Sequence, residues 1–237
     1  MPVTRRLFLA ATAAAATSVG GTGVALAQDA CEVVSADRQR ATTPADALAA
    51  LKEGNARFVA GKTINCDLRA QVKATSTGQY PIAAVVGCID SRVPPELVFD
   101  QRLGDVFAAR IAGNFVNTDI IGSLEFATKL AGAKLIVVLG HTECGAIKGA
   151  VDNAKLGNLT KMLENFAPAV AATVGVDGER SSKNKKLVQA VADANVTIAV
   201  KQLVDRSEVL RELVSARQLQ IVSAMHDISN GQVTFSA

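Results

Sequence analysis

The run AKLIVVLG, residues 133–140, is apolar without a break from Leu135 to Leu139 and leads straight into the glycine-rich turn GHTECG. A strand of that kind has no solvent side, so both of its faces need cover. That is the mark of a parallel strand flanked by helices. PIAAVVGC (81–88) and DVFAARIAG (105–113) read as two further strands. Between and after them lie helical segments. TDIIGSLEFATKLAG (118–132) is capped by Thr118 and stopped by Gly132, NKKLVQAVADANVTIAVKQLVDRS spans 184–207, and SEVLRELVSA (207–216) is capped by Ser207. LQIVSAM (219–225), a turn at Asn230–Gly231 and GQVTFS (231–236) predict a closing antiparallel edge strand. Upstream, TTPADALAALKEGNARFVA (42–60) carries a helix start in Thr43, Pro44 and Asp46 and forms an arm outside the main pattern. The alternation predicts an α/β fold, a mostly parallel central sheet flanked by helices, with an N-terminal helical arm. Ligands of such sheets sit beyond the carboxyl ends of the strands.

The first residues read as an address rather than as structure. Arg5 and Arg6 precede an alanine-rich apolar stretch that closes on ALAQ, which predicts a twin-arginine export signal over 1–27 and a periplasmic or secreted protein. A flexible segment over 28–43 and one domain over 44–237 follow. Removing Arg5 and Arg6 from 25 basic residues leaves 23 against 22 acidic ones. A surface so close to neutral argues against nucleic acid as the partner. No stretch after the signal is expected to span a bilayer. Of the four cysteines, Cys31 and Cys66 are free to pair in an oxidising compartment, although their spacing fits no dense disulfide scaffold.

Cys88 follows one predicted strand, and His141 and Cys144 follow another. Two thiols and an imidazole at strand ends of one sheet match a Cys₂His zinc site with one tetrahedral position open, if the fold brings the two halves together. Spacing leaves other readings standing: buried inert thiols, or a Cys144 nucleophile with His141 as its base. A phosphatase loop is excluded because Cys88 and Arg92 are four apart, and a zinc deaminase because no Cys-x-x-Cys exists. Asp90 and Arg92, inside CIDSR, favour the metal, since an arginine fork can hold a carboxylate beside it.

Together, GCIDSRVPPELVF (87–99), GDVFAARIAGN (104–114), GSLEFA (122–127) and VVLGHTECGA (137–146) resemble, in order and spacing, the signature blocks of the β-class carbonic anhydrases. The resemblance implies one zinc ion per subunit on Cys88, His141 and Cys144, with Asp90 and Arg92 as a catalytic dyad. It implies reversible hydration of carbon dioxide to bicarbonate, with Gln79, Phe107 and Phe126 at the substrate, in a homodimer or homotetramer whose sites lie at subunit interfaces. Hydrolysis of carbonyl sulfide or carbon disulfide, or a non-catalytic zinc-stabilised binding protein, are the alternatives. The chain departs from members that hold bicarbonate in a regulatory pocket. Val85 stands at the tryptophan position and His226 at the tyrosine, while Arg110 matches the arginine.

Overall fold

The computed structural model describes residues 30–236, and the expected export signal lies outside them. Five strands form one sheet in the order β2-β1-β3-β4-β5, where β1 is Ala83–Gly87, β2 Val106–Arg110, β3 Leu135–His141, β4 Gln220–His226 and β5 Val233–Ser236. The first four run parallel and β5 is antiparallel to β4, as the apolar runs and the Asn230–Gly231 turn predict.

Alternation along β1 and β3 sorts their side chains between two cores. Val85, Val137 and Leu139 face a layer with Leu51 and Phe99, and Val222 and Ala224 of β4 join them. Ala84, Val86, Ile136 and Val138 face the opposite layer with Leu124, Val196, Leu203 and Leu210. Both faces of β3 are buried along all seven residues.

The helices follow their caps. Upstream of the sheet lie α1 (Ala36–Ala41), α2 (Pro44–Val59) and α3 (Leu68–Thr75). Helix α2 opens on a full capping box between Thr43 and Asp46. Next come α4 (Pro95–Val98) and α5 (Thr118–Glu125). The cap of α5 is Asn117 rather than the expected Thr118: the Asn117 side-chain oxygen accepts from the Ile120 N–H at 2.9 Å. Its last turn widens into a π turn over Phe126–Leu130 before Gly132. Three short helices, α6 (Gly145–Val151), α7 (Gly157–Leu163) and α8 (Ala167–Ala171), the last two not foreseen in the sequence, precede α9 (Lys185–Arg206) and α10 (Glu208–Ser215).

Where the sequence suggests a flexible lead-in over 28–43, the structure places α1, and Cys31 is bonded to Cys66. Gln39 of α1 donates to the carbonyls of Pro81 and Ala131, so this segment is stitched to the start of the sheet. Helix α9 is also long and apolar enough to cross a membrane. It packs Leu187, Val191, Val196 and Leu203 into the protein core instead.

Candidate metal centre

Strand register brings the ligand candidates together. Val86 pairs with Val138 and Gly87 with Leu139, so Cys88, one residue past β1, arrives beside Gly140 and His141. The turn after β3 is tight: Glu143 is left-handed at φ 57°, and Cys144 caps α6. A side chain at Gly140 would stand 2.7 Å from Val196 and 2.8 Å from Met225, which explains the glycine before the histidine.

The donor atoms of Cys88, His141 and Cys144 all lie within 4.8 Å of one another, and all three residues are buried. A tetrahedral zinc with bonds of about 2.3 Å to sulfur holds two thiolates roughly 3.8 Å apart, so the cluster has suitable dimensions. The imidazole offers a second sign of fit. His141 Nδ1 lies 2.9 Å from the Thr142 carbonyl, to which it donates in the neutral tautomer, leaving Nε2 with an outward lone pair. That Nε2 is buried and without a hydrogen-bond partner among the described residues. Such an orphan is costly, and a metal ion is the partner its chemistry accepts.

The two thiols divide one charge between them. A hydrogen bond from Cys144, helped by His141 and the Gly113 amide, brings the Cys88 thiol down to about 4 against its desolvation. The hydrogen bond to Cys88, burial and the Cys88 charge push the Cys144 thiol up, against the Ile147 and Ala146 amides that favour its thiolate. A cation is what allows both sulfurs to be anionic at once.

Asp90 stands beside this cluster in the grip of Arg92. Arg92 Nε and Nη2 reach Asp90 Oδ1 and Oδ2 at 2.9 and 2.7 Å, and the Arg92 amide adds a third bond at 3.0 Å. The Arg92 side chain is the main reason the Asp90 carboxyl is held far below the usual carboxylate range. Its Oδ2 lies 3.9 Å from His141 Nε2.

Sequence reasoning missed what Arg110 does. Its guanidinium donates to the carbonyls of Cys88 and Asp90 at 2.8 and 2.6 Å, clamping the loop that carries ligand and carboxylate. The available signal was a lone cation ending an otherwise apolar strand. His226 pairs in register with His141. It is buried with neither ring nitrogen partnered among the described residues, and burial moves its pKa down.

The expected substrate residues are not gathered at the cluster within one chain. Gln79 is exposed and precedes β1, at the opposite end from Cys88. Phe107 and Phe126 meet edge to face at 6.2 Å and line an open groove of about 760 Å³ along β2 and α5, together with Ala108, Gly122 and Ala127.

Comparison with known proteins agrees with this geometry. The family model described as carbonic anhydrase matches residues 83–233. Carbonic anhydrase 2 of Mycobacterium tuberculosis is 36% identical over 200 residues, covering 81% of this chain and 92% of the relative. The carbonic anhydrase of Mycolicibacterium smegmatis is 35% identical, covering 81% and 93%. Among solved structures, the β-carbonic anhydrase CafA of Aspergillus fumigatus is similar with a TM-score of 0.63 and 27% identity, over 81% of this chain and 89% of that one. One of two tetrameric β-carbonic anhydrases from Sordaria macrospora is similar with a TM-score of 0.60 and 27% identity, over 68% and 85%. With its matched signature blocks, its sheet and its Cys–His–Cys cluster, the chain belongs to the carbonic anhydrase family, in the β class.

Proposed function

We propose that the chain interconverts carbon dioxide and bicarbonate at this cluster, with Asp90 as the group that orients the attacking water. The observation that carries the reading is the buried Cys88–His141–Cys144 donor set beside an Arg92-held carboxylate. Cys88 and Cys144 as thiolates and His141 through Nε2 would hold zinc. Zinc on such a donor set supplies a Lewis acid that makes water a nucleophile near neutral pH. Asp90 Oδ2, on the cluster side at 3.9 Å from His141 Nε2, is the acceptor that would orient a nucleophilic water toward the carbon of the substrate. Arg92 occupies both carboxylate oxygens and so keeps Asp90 from closing on the donor set. Arg110 fixes the height of the Asp90 backbone. Two thiolates leave little positive charge to acidify water, so activity is expected to rise toward alkaline pH. Measuring zinc content together with rapid carbon dioxide hydration tests the reading. Asp90→Asn should keep the metal and lose turnover, and full activity in that variant would overturn the dyad.

The working unit in this reading is a homodimer joined at the β2 edge. An unpaired edge strand beside an apolar groove with Phe126 53% exposed favours self-pairing. Gln79, exposed and remote from its own cluster, would then serve the neighbouring site. Phe126→Glu should yield monomers of low activity. A fully active Phe126→Glu monomer would exclude the arrangement.

We read the protein as exported by the twin-arginine route to the periplasm or beyond. Arg5, Arg6 and the ALAQ boundary support this, as does the Cys31–Cys66 bridge, a bond that persists in oxidising compartments. Replacing both arginines by lysine should retain the protein inside the cell. Unchanged export would defeat the assignment.

A further inference from the structure

Asn195 is the only polar residue among the buried positions of α9, whose companions are Leu187, Val188, Val191, Ala192, Val196, Ala199 and Leu203. It is 4% exposed, and a buried amide is tolerated only when it is hydrogen-bonded. Its Nδ2 donates to the carbonyl of Gly113 at 2.9 Å. Gly113, in turn, donates its own N–H to Cys88 Sγ at 3.2 Å. Both bonds are buried, and neither belongs to a helix or strand.

Gly113 sits in a turn closed by the Asn114 N–H on the Ile111 carbonyl at 2.9 Å. Its φ is 76°, and an added Cβ would lie 2.4 Å from the Phe166 ring and 3.1 Å from Ala146. The residue must be glycine, and glycine alone holds no fixed backbone angle. Asn195, reaching in from a helix 82 positions away, adds a tertiary constraint to that local turn, and among the described residues its bond is the one that holds the Gly113 carbonyl from outside it.

We propose that Asn195 is a positioning residue of the metal centre: by anchoring the Gly113 carbonyl it aims the Gly113 N–H at the Cys88 sulfur. An amide bond to a ligand thiolate draws charge off the sulfur. The metal it holds is then less neutralised and remains a stronger Lewis acid. The matter is acute at a site with two thiolates. The Cys144 sulfur takes its amides from the start of α6, whereas Cys88 takes one from its own loop, at Asp90, and one from Gly113, which the helix behind it holds. The inference rests on the zinc reading of the cluster.

The test uses the mature chain with Asn195→Leu, which removes the donor, and Asn195→Asp, which keeps the shape but sets an oxygen against the Gly113 carbonyl. Leu203→Ala, two turns further along the same helix, controls for general loosening. Zinc affinity is read by competition with a chromophoric chelator. Cobalt(II) loaded in place of zinc reports the sulfur directly through its thiolate charge-transfer band. Both Asn195 variants should bind zinc about 10–100-fold more weakly and shift that band to longer wavelength, while Leu203→Ala moves neither. Asn195 variants that match Leu203→Ala in both readouts would overturn the proposal and leave the zinc site standing. A wild-type protein that takes up no metal would overturn both.

Discussion

The four cysteines form two pairs with opposite fates. Cys31 and Cys66, half-buried at the arm, are bonded to each other. Cys88 and Cys144, buried at the strand ends, are free, although their sulfurs and a His141 ring nitrogen lie within 4.8 Å of one another. Proximity therefore does not decide what a pair of thiols becomes. The inner pair has a third donor, His141 Nε2, and amides from Gly113, Ala146 and Ile147 that favour thiolate over disulfide geometry. The outer pair has no such company among the described residues, and it joins two segments that need joining.

The comparison breaks most visibly at the inner pair. Cys144→Ser or His141→Ala should lose zinc and with it all measurable hydration, while the Cys31–Cys66 bond persists on a non-reducing gel. Retained activity in either variant would show that the cluster is not the site. Chelation should do the same reversibly, with zinc restoring the rate.

Asp90→Asn is expected to cost about a hundredfold or more in turnover with zinc content unchanged, which separates the dyad from the ligands. At the outer pair the effect changes kind. Cys31→Ser with Cys66→Ser opens a 35-residue link and should lower unfolding stability by about 3–4 kcal/mol on loop-entropy grounds, leaving kcat untouched. A fall in kcat as large as that of Asp90→Asn would mean that the arm reaches the site.

The smallest effect is a matter of pH. Because the Arg92 fork holds the Asp90 carboxyl far below its ordinary range, Asp90 stays ionised at pH 5 and above. A depressed carboxyl protonates only on descent toward its folded pKa, so Asp90 would contribute nothing to the decline of activity expected between pH 9 and 6. A flat profile from pH 6 to 9 would sink this account.

Much of this was legible beforehand because it is written locally. Continuous apolar runs named β1 and β3, the Thr43–Asp46 box and Ser207 named helix starts, and CIDSR and HTEC named the Cys88–His141–Cys144 cluster and the Asp90–Arg92 pair beside it. What escaped depends on register and distance. Nothing local says that Val86 meets Val138, that Arg110 turns its guanidinium onto the Cys88 and Asp90 carbonyls, or that an asparagine in α9 reaches Gly113. Gln79, Phe107 and Phe126 were grouped with the zinc by resemblance, and one chain alone holds them elsewhere. The short helices between Gly145 and Ala171 lacked long periodicity, and packing rather than propensity forms them.

The in-register pairing of β1 with β3 carries a kinetic consequence. More than fifty residues separate the two sulfurs along the chain, and nothing in the local turns brings them near each other. Such non-local contacts come late in folding. An ion that needs both sulfurs is therefore expected to be captured only once β1 and β3 have paired, and metal uptake followed in time would serve as a stopwatch on the closure of the sheet.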